Sequence, residues 1–259
     1  MTIRNLDAIN RVSTSFSTLE TRNFSTYFYS IMIKILLPIL FLLILTLEGR
    51  SQADSGSIGA LSAYVVPFTW VDRNPRLRLG IEYHAHNQTG YSLEVGFGNN
   101  LLNHSRLEKL VWGQEYSFFE IRSEVKWYRK EEKEFNLYWG AELFYQRMSD
   151  HLDDLYFYPK ESSLTVFYDE ADFRKTKIGG LAKAGIKILV WKRVMLDFYE
   201  GLGLAYRQNT YSNLVNPIAS EDDPVEEWWD DAYKNEGPYF LFQLNVGVRV
   251  GYVIGRIDN

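Results

Sequence analysis

The stretch GPYFLFQLNVGVRVGYVIGR, residues 237–256, decides the fold of this 259-residue chain. Its side chains alternate between two rows. One row is apolar throughout: Phe240, Phe242, Leu244, Val246, Val248, Val250 and Tyr252. The other is mostly small or polar: Leu241, Gln243, Asn245, Gly247, Arg249 and Gly251. A period of two predicts a β-strand, because successive side chains leave a pleated backbone on opposite faces. So long an apolar row, with aromatic residues at both ends, is typical of a strand whose outer face meets lipid.

The same alternation recurs upstream without a convincing helix between the segments. Seven further strands are predicted, at 58–70, 76–86, 91–98, 115–130, 134–148, 173–189 and 194–209. Short connections follow the second, fourth and sixth strands, whereas long ones, at 99–114, 149–172 and 210–236, follow the third, fifth and seventh. Outer-membrane barrels alternate short periplasmic turns with longer external loops in this way. We therefore predict an all-β fold: a single closed antiparallel up-and-down transmembrane β-barrel of eight strands.

An apolar segment precedes the predicted barrel. Residues 32–53 combine a charge at Lys34, an apolar run at 35–47 and small residues at Ser51 and Ala53. This is the pattern of a secretory signal peptide. A membrane anchor is the alternative, although the run is short for a helix that needs about 20 residues to span a bilayer. We expect a polar extension at 1–31, which precedes the true translation start, then a signal peptide at 32–53 and the barrel at 54–259.

Composition excludes several classes of protein. Aromatic residues make up 16% of a chain whose mean hydropathy is only −0.25, which suits alternating strands better than hydrophobic helices. The chain has no cysteine, which excludes disulfides and thiolate chemistry. Its net charge of −5 argues against nucleic-acid binding.

On these patterns, chiefly GLGLAYR at 201–207 and LNVGVRVGY at 244–252, the chain resembles the small eight-stranded outer-membrane barrels of Gram-negative envelopes. That group includes the OmpX and OmpA barrel domains. The resemblance covers residues 54–259 and implies location in the outer membrane, with its lipid as a partner. Many such barrels end on an aromatic residue used in assembly, whereas this chain ends Ile257-Asp258-Asn259. Tyr252 is the candidate to take that role.

Charged side chains recur on the rows opposite the apolar ones. Facing lipid, each Arg or Lys would cost about 2–4 kcal/mol near the membrane midplane, so we expect these rows to face the lumen. The set is Arg78, Glu82, His84, Glu94, Glu120, Arg122, Glu124, Lys126, Glu142, Lys183, Lys187, Asp197, Arg207 and Arg249. An eight-stranded barrel leaves its interior little room for water. A salt-bridged plug is therefore favoured over an ion path. Glu200 falls on an apolar row and is an exception.

Turn lengths predict the register of three strand pairs. Three-residue turns are expected at 88–90, 131–133 and 191–193, with Gly90 as the left-handed residue of the first. The charged residues that these registers bring face to face are His84 with Glu94, Arg122 with Glu142, and Lys187 with Asp197. Each pair is predicted to be in contact, because an almost dry lumen disfavours unpaired charges.

Tryptophans mark one interface of the predicted membrane region. Trp127, Trp139 and Trp191 lie next to short connections. Because indole rings prefer the membrane–water interface, we expect all three at a similar depth on the periplasmic side.

No catalytic set can be demonstrated from the sequence. His84 and His86 are expected in the lumen near a periplasmic turn, and His104 and His151 in long connections. The neighbours of the last two are Ser105, Asp150, Asp153 and Asp154. Such neighbours are expected by chance among 33 acidic residues, and nucleophilic catalysis needs a base and an orienting group within hydrogen-bond reach. We predict no catalytic residue, no cofactor and no metal.

The connection EDDPVEEWWDDAY, residues 221–233, is the most distinctive candidate contact surface. Its carboxylates around Trp228 and Trp229 suit calcium, and the indoles suit a sugar or a partner protein. The spacing is not that of a calcium loop, so a solvated acidic loop is favoured. The long connections 99–114, 149–172 and 210–236 are the expected surfaces for a ligand or partner protein.

The favoured function is structural or surface interaction without catalysis, and two alternatives stand beside it. A soluble periplasmic barrel of lipocalin type would bind an apolar ligand and would place its apolar rows inside. A rim-sited hydrolase or acyltransferase would act on envelope lipids.

Overall fold

The computed structural model describes residues 60–70, 74–85, 88–100, 102, 115–129, 135–160, 162, 164–190, 193–221 and 234–254. The predictions about the N-terminal extension, the signal peptide, Trp191, the Trp228–Trp229 pair and the C-terminal end of the chain lie outside these residues. They stay predictions.

The described residues form strands wherever apolar and polar side chains alternate. The strands are β1 (Ala60–Val65), β2 (Leu77–His84), β3 (Thr89–Asn99), β4 (Ser117–Tyr128), β5 (Phe135–Phe157), β6 (Thr165–Val190), β7 (Val194–Val215), β8 (Ile218–Ser220) and β9 (Gly237–Val253). A short 3₁₀ turn, Pro67–Trp70, follows β1, which fits the exclusion of proline from a continuing ladder. Within this part of the chain, no helix has the length and hydropathy needed to cross a bilayer.

Eight of these strands close into a ring of antiparallel pairs. Each of β1 to β7 pairs with its neighbour in the chain, β7 also pairs with β9, and β9 pairs with β1. The three-residue strand β8 pairs with the end of β6 and is not part of the ring. Closure leaves no open sheet edge around the ring, as a β structure inside a bilayer requires. The predicted eight-stranded up-and-down transmembrane barrel is confirmed.

The register of the pairs sets the tilt of the strands. Paired residues traced from Val65 through β2, β3 and β4 reach β5 at Tyr145. Traced through β9, β7 and β6, they reach β5 ten residues earlier, at Phe135. With ~3.3 Å per residue and ~4.8 Å between strands, this stagger tilts the strands by about 41° from the barrel axis.

Apolar rows face outward and charged rows face the lumen. Outward side chains such as Leu79, Leu204 and Phe242 are at least half exposed, whereas the inward Lys126 and Arg249 are fully buried. This is the arrangement of a barrel surrounded by lipid. The lipocalin-type alternative requires the opposite orientation and is therefore wrong.

Three strands extend well past their predicted external ends. β5 continues to Phe157 and pairs with a β6 that begins at Thr165, so much of the predicted loop 149–172 is strand. β7 likewise continues to Val215, inside the predicted loop 210–236. These extensions, which we call the external extension, enclose a buried apolar cluster in place of the charged lumen. Its members are Tyr116, Phe118, Met148, Leu152, Phe157, Tyr168, Ala171, Phe173 and Tyr211.

Close contact between β6 and β7 gives a test of this packing. A Cβ atom at Gly203 would overlap the backbone carbonyl oxygen of Gly180, whereas a Cβ at Gly180 would meet its nearest atom, Leu143 Cδ2, at 3.4 Å. We expect Gly203→Ala to destabilise the barrel by ~1–3 kcal/mol and Gly180→Ala to have little effect. Heat-dependent gel mobility in detergent measures the folded fraction. Equal behaviour of the two variants would contradict the described β6–β7 contact.

Candidate functional site

The lumen holds one continuous series of ion pairs in which cations and anions alternate. We call it the lumen chain. From the short-turn end to the external end it runs Lys187, Glu82, Lys126, Asp197, Arg249, Glu124, Lys183, Glu142, Arg122, Glu120 and Arg76. Neighbouring nitrogen and oxygen atoms lie between 2.5 Å (Arg122–Glu142) and 3.2 Å apart. The strand period produces this arrangement, because inward positions recur every second residue on each tilted strand.

Arg249, from the strand that opened the sequence analysis, lies at the centre of the lumen chain. Its Nη2 is 2.6 Å from Glu94 Oε1 and 2.6 Å from Glu124 Oε2, and its Nη1 is 3.0 Å from Asp197 Oδ2. Its guanidinium also lies 4.5 Å from the centre of the Tyr199 ring. A planar guanidinium with five N–H donors suits a site of several carboxylates, so this one residue connects β3, β4 and β7.

Tyrosine hydroxyls complete the hydrogen bonding at the short-turn end. Glu82 accepts hydrogen bonds from Lys126, Lys187 and the Tyr128 hydroxyl, each 2.6 Å long. Asp197 accepts one from the Tyr138 hydroxyl at 2.7 Å. A buried carboxylate surrounded by donors is stable as an ion, so this end of the lumen is closed by protein groups.

The external end of the lumen is closed in the same way. Glu120 receives hydrogen bonds from Arg76 at 2.8 Å, Arg122 at 3.2 Å and the Gln146 side-chain amide at 2.8 Å. These side chains come from β4, from β5 and from the segment before β2. Glu120 therefore links β4, β5 and the segment before β2 at this end of the barrel.

Three carboxylates of the lumen lie close enough to suggest a metal site. Oxygen atoms of Glu94, Glu124 and Glu142 lie within 4.8 Å of one another. Arg249 and Lys183 already contact them, with Lys183 Nζ 2.9 Å from Glu142 and 3.2 Å from Glu124. Protein cations thus compensate the charge that a metal ion would otherwise compensate.

The structure brings together nearly all of the predicted lumen residues. Arg78 contacts Glu94 at 2.9 Å beside the lumen chain. His84 lies at the short-turn end, with its Nδ1 4.0 Å from Glu82 Oε1 and its ring 4.3 Å from that of Tyr128. Arg207 has its guanidinium 5.1 Å from the centre of the Tyr239 ring. His86, the other histidine predicted in the lumen, lies outside the described residues.

The three predicted inward contacts have different outcomes. The Arg122–Glu142 pair forms, at 2.5 Å. Lys187 does pair with Asp197 along the backbone, but its amine contacts Glu82 and Lys126 takes Asp197, so the predicted salt bridge is wrong.

The His84–Glu94 contact is also wrong, because the β2–β3 register differs from the predicted one. His84 pairs with Gly90, and the left-handed residue of the turn is Gln88, with φ at 62°, instead of Gly90. Glu94 instead contacts Arg78 and Arg249.

The β4–β5 register also differs from the prediction. Glu124, and not Arg122, lies directly opposite Glu142. Arg122 reaches Glu142 diagonally, and Lys183 contacts both glutamates.

Several members of the network were missed in the sequence analysis. They are Arg76 and the tyrosines Tyr64, Tyr128, Tyr138 and Tyr199. All four tyrosines occupy inward positions, so strict use of the two-residue period would have identified them. Tyrosine is also enriched at the outer, lipid-facing interface, so the residue type alone did not indicate an inward side chain.

Trp127 and Trp139 are directly opposite each other on β4 and β5, and both point outward. The prediction of a shared depth is confirmed for these two residues.

The outer surface also has a groove of about 460 Å³, with Leu93, Ser123 and Leu143 in its wall.

The external extension carries one charged cluster around His151. Its Nδ1 is 2.9 Å from Asp172 Oδ1, and its Nε2 is 3.6 Å from Asp153 and 3.7 Å from Glu170. The hydrogen bond to Asp172, helped by the other carboxylates, raises the pKa of His151, and the same bond lowers the pKa of Asp172. Asp172 is the main partner, whereas the sequence analysis named Asp150, Asp153 and Asp154.

No protein-family model matches the chain, and no curated protein matches it. Among solved structures it is similar to Neisserial surface protein A (NspA), with 17% identity over 74% of this chain and 93% of that one, and a TM-score of 0.32. It is also similar to a major outer membrane protein from Thermus thermophilus, with 10% identity over 76% of this chain and 98% of that one, and a TM-score of 0.38. These values are too low to transfer either protein's biology.

Removing the central cation tests the lumen chain. Arg249→Met would leave Glu94, Glu124 and Asp197 with too little positive charge, and breaking a buried ion pair in this way costs ~3–5 kcal/mol. Lys187→Met is the matched control, because Glu82 keeps Lys126 as a partner. Urea unfolding in detergent micelles should show a much larger loss of stability for Arg249→Met. Similar losses of stability for the two variants would show that Arg249 is no more important to the lumen chain than Lys187.

The His151 cluster predicts a pH dependence of the external extension. A raised histidine pKa means that the His151–Asp172 pair contributes fully below about pH 6.5 and is lost as pH rises through the raised value. The lowered Asp172 pKa keeps that group ionised across this range. We expect His151→Gln to increase proteolysis of the extension at pH 5.5 and to change little at pH 9.

Asn216→Ala provides the matched control for this experiment. Asn216, which follows β7, donates a 2.7 Å hydrogen bond to Asp169 on the extension, and an amide does not titrate. Its effect on proteolysis should be the same at both pH values. A His151→Gln effect independent of pH would exclude the charged pair.

Proposed function

We propose that this chain is an integral outer-membrane β-barrel without catalytic activity, and that its role is structural or surface interaction through the external extension and loops. One observation carries the proposal: charged rows fill the lumen while apolar rows face outward. Such a barrel is stable only when lipid surrounds it. The export signal expected at 32–53 supports the outer membrane as the destination.

The lumen chain supports a closed barrel over a channel. Its side chains occupy the width of the lumen and bond to one another across it, so an ion crossing would have to separate buried ion pairs. Each separation would leave an uncompensated charge in a poorly solvated interior, which is strongly unfavourable. The barrel interior is therefore assigned to stability, and interaction with ligands or partners to the external side.

The external extension supports a role in surface contact. β5, β6 and β7 form an ordered platform above the lipid-facing rows, held by its own apolar cluster. Such a platform gives the external side an ordered surface, which favours binding because less conformational freedom is lost. The proposed contact regions for a surface ligand or partner protein are the segments 99–114, 149–172 and 210–236, which include strands of the external extension as well as loops, together with Trp228 and Trp229.

Fractionation and conductance test this proposal together. We expect the protein to be extracted from membranes only by detergent, to show heat-dependent gel mobility, and to be cleaved near residues 158–164 by protease added to intact cells. Purified barrels in planar bilayers should show no steady ion conductance. Recovery in the soluble fraction would overturn the membrane assignment, and stable conductance steps would overturn the closed lumen.

A further inference from the structure

One carboxylate on the apolar, membrane-facing part of the barrel points outward. Glu200 belongs to the outward row of β7, between Phe198 and Leu202, and its side chain is exposed. Its paired neighbours are Ala184 on β6 and Val246 on β9. Within the described residues, its carboxylate makes no hydrogen bond or ion pair.

Glu200 lies at the depth of the hydrocarbon. The outward residues of β7 are apolar from Leu196 to Tyr206, apart from Glu200 itself. At the strand tilt given above, each residue advances about 2.5 Å along the membrane normal. Glu200 is therefore about 10 Å from Leu196 and about 15 Å from Tyr206, near the middle of an apolar band about 25 Å tall. An ionisable group at this depth is costly and indicates a functional contact.

Small side chains lie next to this carboxylate. The outward row of β6 contains Gly180, Ala182 and Ala184, and Ala184 is directly opposite Glu200. Small residues let two membrane proteins approach closely, so that packing and polar contacts between them become effective. We call Gly180, Ala182, Ala184 and Glu200 together the β6–β7 face.

We propose that the β6–β7 face is an interface between two copies of this chain in the membrane. Two copies with the same orientation are related by an axis along the membrane normal, so each residue can meet only residues at its own depth. Among the described outward side chains of β5 and β6, the charged ones nearest in depth are Arg147 and Arg174, both toward the external end. The group that a second copy offers to Glu200 at mid-depth is therefore its own Glu200.

Two carboxyl groups in contact satisfy each other when both carry a proton, because the O–H of one donates to an oxygen of the other and no net charge is left in the hydrocarbon. The contact is symmetric, as a two-fold interface requires. It also explains why this barrel keeps a carboxylate that lipid alone would disfavour. The inference concerns self-association and is independent of what the external side binds.

The absence of cysteine in the chain allows a direct test. Leu202→Cys places a single thiol beside Glu200, and Ile81→Cys places one on β2, in another part of the wall; the native side chains are 52% and 51% exposed. In lipid vesicles containing oxidant, we expect Leu202→Cys to form disulfide-linked dimers and Ile81→Cys to form few. Equal cross-linking at both positions, or none at Leu202→Cys, would overturn the proposal.

Substitution of Glu200 then tests the carboxyl pair itself. In the Leu202→Cys background, Glu200→Leu should reduce cross-linking about fivefold, the loss expected for one hydrogen bond in a membrane. Glu200→Gln should keep most of it, because paired amides also donate and accept. Heat-dependent gel mobility confirms that both variants are folded. Unchanged cross-linking in folded Glu200→Leu would exclude the carboxyl pair as the basis of the interface.

Discussion

Charge compensation in a nearly dry lumen is the constraint on which the structure depends. Each buried carboxylate of the lumen chain would be severely destabilised without a cation. The cations come from strands far apart in the sequence: Lys126 from β4, Lys183 from β6 and Arg249 from β9. Because the pairs cross the lumen, they hold opposite walls of the barrel together, and no strand can be removed without exposing charges. Buried pairs gain little over apolar packing, but breaking one of them is strongly destabilising, so the network resists opening of the closed barrel.

This division of labour explains where the barrel interacts with its surroundings. The lumen is occupied by the protein's own side chains, and the outward rows of the ring are matched to lipid. The external extension is different, because the same period of two there separates solvent-facing charges such as His151 and Asp172 from an apolar cluster. β5, β6 and β7 therefore change environment along their length while the strand pairing continues. The strand pairing that surrounds the charged lumen thus continues, without a break, into the platform outside the membrane.

The two-residue period was sufficient to predict the number of ring strands, their direction and the side of the wall that each charge occupies. It could not locate the ends of β5, β6 and β7, because polar residues outside the membrane interrupt the long apolar row that marks a lipid-facing strand. The two-residue period could not predict the register of the strand pairs either. The errors at β2–β3 and β4–β5 preserve the inward and outward rows, since each register is offset by an even number of residues. The amphipathic pattern fixes the face of a side chain, whereas the turn fixes its partner, and the turn residue Gln88 carries no strong signal for a left-handed backbone.

The pairing of Glu124 with Glu142 shows why charge rules for flat sheets fail in a narrow barrel. Like charges directly opposite on two strands are destabilising in an open sheet, and the register predicted from the turn length placed Arg122 opposite Glu142 instead. Inside an eight-stranded barrel the inward side chains converge, so residues on distant strands are as close as cross-strand neighbours. Lys183 from β6 and Arg249 from β9 reach the two glutamates and remove the repulsion. The relevant neighbours of a lumen charge are set by depth along the axis, and not by adjacency in the sheet. A register for such a barrel must therefore be judged on all strands at once.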